Sequence, residues 1–230
     1  DSTHSPEFAM LEAYEAYGDQ HTVAELTRRI YLAVADALGS RQVETPKGVV
    51  DLDGEWRWLS VYPALGEAVG REITPDTPLA ELVAIAAEHD VEIDPAWPAG
   101  KVVIELFGEI VEPGILAPTF VHDYPAEAQP LARRHDDDPR LIHAWDLIIA
   151  GVERGTGFTE LVDPVVQREV LTAQSLAAAA GDPEAMQLDE DFLRALEYGA
   201  PPMGGIGIGI DRMVMFFTGA SIRETLLFPH

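Results

Sequence analysis

The stretch from Gly204 to Phe217, GGIGIGIDRMVMFF, constrains the fold more than any other part of the chain. Side chains alternate between the faces of a strand, so an extended backbone here puts Ile206, Ile208 and Ile210 on one face and Gly205, Gly207 and Gly209 on the other. One face must be buried against apolar partners. The other is bare, and glycine weakens a strand interior unless something has to come close to its backbone. Beyond the strand, Asp211 is a good helix N-cap, and Arg212 opens a helix, RMVMFF. A cation at the positive end of a helix dipole is unfavourable by about 0.3–1 kcal/mol unless an anion sits beside it. Glycine face, helix N-terminus and arginine together read as a phosphate site. A buried strand packed under a helix, with a surface arginine, is the alternative these residues leave open. The spacing is not a dinucleotide fingerprint, because Ile210 stands where the sixth-position glycine is needed, and there is no Walker lysine.

A second stretch, Phe8 to Tyr14, reads as extended with Phe8, Met10, Glu12 and Tyr14 on one face and Ala9, Leu11 and Ala13 on the other. An aromatic, thioether and carboxylate mixture is unusual for a structural face and ordinary for a binding face. Ala, Leu and Glu also leave a helical reading open. Any polyanion partner has to be met locally or by another part, because 40 acidic residues against 15 basic ones give a formal charge of −25. The chain has no cysteine, which removes disulfides, thiolate metal sites and cysteine nucleophiles. No apolar run approaches the roughly 18 residues of a membrane span, and no signal peptide opens the sequence.

Between these stretches the punctuation marks out helices and strands. Thr22 with Glu25 reads as a capping box for a helix that ends at Gly39. Val49, Leu52, Trp56, Trp58 and Val61 around Asp53-Gly54 read as a hairpin. Helices are expected from Thr77-Pro78 to His89 and from about Pro98 to Val111, with 65–115 as a possible helical insertion. Thr119 to His122 reads as a strand, Asp136 to Pro139 as a turn, and Asp163 and Asp189 as caps of helices ending at Gly181 and Gly199. Ile142 to Glu153 is apolar and β-prone, and it carries Asp146 and Glu153. One regular strand would put these two acids on opposite faces, so only a bulge or turn near Gly151 could converge them. The seven histidines show no metalloprotease spacing, and His21, His89 and His122 read as surface or loop residues.

PEFAMLEAYEAYGD, YPAEAQPLARRHDDDP, GFTELVDP and GGIGIGIDRMVMFFTGASIRETLLFP resemble, in order and spacing, the catalytic domain of class II lysyl-tRNA synthetases. GDPEAMQLDEDFLRALEYGAPP followed by SIRETLLFP is most similar to the synthetase-like C-terminal module of actinobacterial lysylphosphatidylglycerol synthases. The resemblance implies an α+β fold, a mostly antiparallel sheet flanked by helices. It implies that His4 and Phe8 hold ATP, Phe8 under the adenine, with Gly209 beside the phosphates and Arg212 on the γ-phosphate. Glu12, Tyr14, Thr156, Phe158 and Glu160 would form the lysine site, Glu160 receiving the ε-ammonium. Asp146 and Glu153 would hold Mg²⁺ bridging the ATP phosphates. Implied partners are ATP, L-lysine and, in the complete protein, tRNA(Lys) and a second copy in a homodimer. The implied compartment is the cytoplasm.

The 230 residues match the C-terminal part of that catalytic domain. Motif 1, the first half of motif 2 with its arginine, and the anticodon-binding domain fall outside the match, so the segment alone is expected to have negligible aminoacylation activity. Asp146 stands where the family usually has glutamate, Thr156 where asparagine is usual, and Gln129 where serine is common. Two other readings share the motifs: a module supplying lysyl-tRNA to a lysylphosphatidylglycerol synthase, and a non-catalytic paralogue with a binding role. The retained Glu12, Glu153, Glu160 and Arg212 argue against the last.

Overall fold

The computed structural model describes residues 7–179, 181 and 185–227. Its centre is a six-stranded sheet built from β1 (Met10–Ala16), β4 (Arg57–Ser60), β5 (Thr119–His122), β6 (Ala144–Ile149), β7 (Val152–Thr159) and β8 (Met203–Gly209), in the order β1-β8-β7-β6-β5-β4. All neighbours are antiparallel except β4 and β5. A parallel pair needs a long crossover. Here it is made by α2 (Val61–Val69), α3 (Leu79–Glu88) and α4 (Ala99–Ile110), so the helical segment begins at Val61.

The two faces of the sheet are covered differently. On one, α1 (Gln20–Leu38), the small hairpin β2 (Gln42–Thr45) and β3 (Gly48–Asp51), and α7 (Ile210–Thr218) enclose Ile206, Ile208, Trp145, Leu147 and Phe120. On the other, α2 to α4 pack over Val121, Ala144 and Ile148, which covers the β5–β6 side only. Over β1 and β8 that face stays open, with Met10 and Tyr14 about half exposed or more. The Ile/Gly alternation decides this: isoleucines look into the core, and glycines line the uncovered face.

Several local expectations are corrected. The cap of α1 is Asp19, whose carboxylate accepts from the N–H groups of His21 and Thr22, while the Thr22 hydroxyl accepts from the Asp19 N–H. The capping box therefore lies three residues earlier than Thr22/Glu25. Asp53-Gly54 does turn, closed by Gly54 N–H on the Asp51 carbonyl at 3.3 Å, but it joins no hairpin. The strand after it, β4, pairs with β5, and the hairpin is β2–β3. Pro78 rather than Thr77 precedes α3. The caps Asp163 and Asp189 hold as read, each accepting from two N–H groups of α5 (Pro164–Ala179) and α6 (Glu190–Glu197) respectively.

Candidate active site

On the open face, strand register lays the candidate residues out as a grid. Met10 stands opposite Gly209. The next row runs Glu12, Gly207, Thr156, Asp146, and the one after it Tyr14, Gly205, Phe158, Ala144. Rows two residues apart are about 7 Å apart. The extended reading of 8–14 is thus the one realised, and Glu12 and Tyr14 share a face with the glycines.

At the far end Glu160 reaches back over Gly205. A β-carbon on Gly205 would collide with the Glu160 carboxylate and lie 2.9 Å from the Tyr14 ring, so the missing side chain is what lets these groups approach. Burial, and then the neighbouring Glu12, push the Glu160 carboxyl up to about 7. Its Oε1 is buried without a hydrogen-bond partner. Tyr14 donates its hydroxyl to Glu12 at 3.3 Å, and burial with the two nearby carboxylates raises its phenol above the usual value. A desolvated carboxylate with an unsatisfied oxygen and a second acid beside it has the chemistry to receive a cation.

At the near end Phe8, Met10, Glu153, Thr156, Gly209 and Arg212 line one cleft of about 350 Å³. Arg212 donates from Nη1 to the Glu153 carbonyl at 3.2 Å and lies 3.5 Å from the Glu153 carboxylate. The helix begins earlier than its sequence suggests. Ile210 is its first residue, with Gly209 as the cap, and Asp211 is no cap. Instead the Asp211 carboxylate accepts from the Ala9 N–H at 2.9 Å and fixes β1 to the start of α7. His4 lies outside the described residues.

Asp146 and Glu153 converge because the chain reverses at Ala150-Gly151, both at positive φ (54° and 67°). Together with Glu112 and Tyr124 they line a cavity of about 230 Å³ against α4. Asp146 is partly buried. Burial, and then Glu153, push it well above the usual carboxylate range, against hydrogen bonds from Thr156 and Tyr124. Glu112 is raised too, first by burial and then by Glu153. Among the described residues no three His, Cys, Asp or Glu side chains are arranged as a self-sufficient metal cage. Two crowded carboxylates with all-oxygen chemistry nevertheless suit Mg²⁺, which is usually held by one or two carboxylates plus substrate phosphates.

Glu112, Tyr124 and Arg154 escaped the sequence reading. Glu112 follows α4 in a short turn and Tyr124 follows β5, neither with a local signature. Arg154 did carry a signal, a cation inside a glycine-rich strand whose only other charge is Glu153. His122 is also not a loop residue. It closes β5, with Nδ1 3.0 Å from Asp123.

Known proteins resemble this chain along its whole length. The family model for class II tRNA synthetases (D, K and N) matches residues 1–230. A lysine–tRNA ligase of Mycolicibacterium gilvum is 54% identical over all of this chain and 46% of its own length. One from Mycobacterium bovis is 52% identical, with 47% of its length covered. A lysylphosphatidylglycerol biosynthesis bifunctional protein, LysX, of Gordonia bronchialis is 46% identical over the whole chain and 21% of its own length. The chain spans about half the length of the ligases it matches. With a full-length family match and an α+β fold of mainly antiparallel sheet flanked by helices, this chain belongs to the class II tRNA synthetases.

Proposed function

We propose that the open sheet face binds ATP and lysine end to end and activates lysine as lysyl-adenylate, which the full-length protein transfers to tRNA(Lys). The observation that carries this is the polarity of the face. A desolvated carboxylate, Glu160, stands at one end with Glu12 near it, Arg212 stands at the other, and bare glycine backbone runs between them. A substrate pair with an ammonium at one end and a polyphosphate at the other is the complement.

In this reading Glu160 and Glu12 hold the ε-ammonium, with Tyr14, Thr156 and Phe158 around the stem. Phe8 lies under adenine, and Arg212 with Gly209 meets the phosphates. The lysine carboxylate oxygen attacks the α-phosphorus, the bond to the bridging oxygen breaks, and pyrophosphate leaves. The tRNA ribose hydroxyl then attacks the acyl carbon and releases AMP. Asp146 and Glu153 would hold Mg²⁺, which neutralises charge building on the phosphates. The chain's own residues position and stabilise charge and supply no nucleophile. A homodimer and a cytoplasmic setting for the full-length protein belong to the same proposal. Among the described residues no helix is long and apolar enough to cross a membrane.

The test is ATP–pyrophosphate exchange by the full-length protein with each amino acid in turn. Exchange that depends on lysine is expected, and exchange indifferent to lysine would overturn the proposal. The match to the Gordonia bronchialis protein favours a second fate for the product, in which lysyl-tRNA feeds lysine to a lipid. Adding phosphatidylglycerol vesicles to the charging reaction separates the two, because only the second moves lysine into the lipid fraction.

A further inference from the structure

Arg154 occupies the extra position of a bulge in β7. Leu147 pairs with Gly155 and Ile148 with Glu153, so residue 154 has no opposite. Bulges re-aim side chains. This one sends a guanidinium beneath α7, where it is 7% exposed, with its Cζ 5.3 Å from the centroid of the Phe216 ring. Nη1 donates to the carbonyl of Arg212 at 3.0 Å, and Arg212 donates back to the carbonyl of Glu153 at 3.2 Å. The first turn of α7 and the bulge are therefore tied in both directions. The Tyr31 hydroxyl anchors the bulge itself, donating to the Arg154 carbonyl at 3.3 Å.

For folding alone this is a poor use of an arginine. Its Nε is buried with no acceptor, and among the described residues no carboxylate pairs with it in an ion pair. Burying a cation without a carboxylate is costly, and an apolar side chain of similar volume would serve the core as well or better. What the placement does provide lies above it, since Arg154 borders the same cleft as Arg212 and Gly209.

We infer that Arg154 is a positioning residue for the phosphate end of the cleft. It fixes the first turn of α7 through the Arg212 carbonyl, so that the Arg212 guanidinium is held ready for the anion. The inference rests on the assignment of that end to the phosphates of ATP. A loosened first turn would misplace the group that meets phosphate directly, and would reach the adenine side only through the Ala9–Asp211 tie.

The experiment measures binding of ATP and of adenosine, together with thermal midpoints, for the full-length protein and its Arg154→Leu, Arg154→Lys and Arg212→Ala variants. Arg154→Leu should weaken ATP on the order of ten- to a hundredfold, the scale of a misplaced binding group. Adenosine affinity should change much less than ATP affinity, and the thermal midpoint should be equal or higher. Arg154→Lys keeps the charge without the planar fork and should recover part of the loss. An ATP-to-adenosine ratio unchanged in Arg154→Leu, or equal loss of both ligands, overturns the inference. Should Arg154→Leu not fold, Arg154→Lys carries the test: a several-fold selective loss of ATP supports the inference and an unchanged ratio overturns it. Arg212→Ala with an unchanged ratio would instead remove the phosphate assignment itself, which separates the two failures.

Discussion

Asp146 and Glu153 share one cavity although they are seven positions apart in the chain. Asp146 pairs with Thr156 and Glu153 with Ile148, across a hairpin whose two turn residues both take left-handed backbone. Asp146 and Ile148 lie on one face of β6, so Glu153 sits diagonally from Asp146 on that same face. Glu153 keeps nearly half of its side chain exposed, whereas burial first and Glu153 second push the Asp146 carboxyl above the ordinary range.

Asp146→Asn therefore separates stability from function. The amide removes the buried negative charge, so unfolding free energy should stay level or rise. Magnesium-dependent ATP binding should fall on the order of 10- to 100-fold, the range for disturbing a metal site's supporting carboxylates. Titrating ATP with and without Mg²⁺ checks both halves. A variant whose ATP affinity keeps its full magnesium dependence would take the metal role away from Asp146.

Gly205→Ala tests the close approach at the other end. The added methyl would strike the Glu160 carboxylate and press on the Tyr14 ring at 2.9–3.0 Å. Glu160 is flexible and can swing aside, so the cost to folding should be about 1–3 kcal/mol. The cost to lysine binding should be larger than the cost to ATP binding, because only the carboxylate end is displaced. Gly207→Ala is the control. There the nearest atom is the flexible end of Met10 at 3.1 Å, so Glu160 should keep its place and the ligand-free fold should be little affected.

Much of this arrangement was legible in the sequence where local chemistry decides. The alternation in 204–210 and 8–14 fixed which residues share the open face, and Asp163, Asp189, Gly39 and Gly199 marked helix ends. Illegibility begins with long-range pairing. Asp53-Gly54 is a sound turn signal, yet β4 leaves it to pair with β5, and nothing near the turn encodes that choice. Asp211 has the chemistry of a cap, but the Ala9 N–H, some two hundred residues away in sequence, takes its carboxylate and the helix starts two residues earlier. The bulge at Arg154 and the approach of Tyr124 and Glu112 to Asp146 depend on register and on helix packing, which no local pattern records.

Glu160 gives the last prediction, a pH dependence with a definite sign. Its folded-state carboxyl is pushed up to about 7, first by burial and then by Glu12, against an ordinary value of 4.5. Between those values the folded protein binds more protons than the unfolded chain, so this group's contribution to stability is full below about 4.5 and is lost as pH rises through about 7. Lysine binding runs the other way. The ε-ammonium is charged throughout this range, and it needs the ionised carboxylate. Lysine affinity should thus be flat above pH 7 and fall below it, by at most about tenfold per pH unit. Glu160→Gln keeps the shape and removes the charge. It should abolish this pH dependence, cost lysine binding about 2–5 kcal/mol near pH 8, and leave ATP binding unchanged. The measurements are lysine affinity and thermal midpoint from pH 5 to 8.5 for both forms of the full-length protein. Asp146 shifts in the same direction, so the difference between the two forms isolates Glu160. A lysine affinity that falls identically with pH in both forms would move the ammonium contact to another carboxylate.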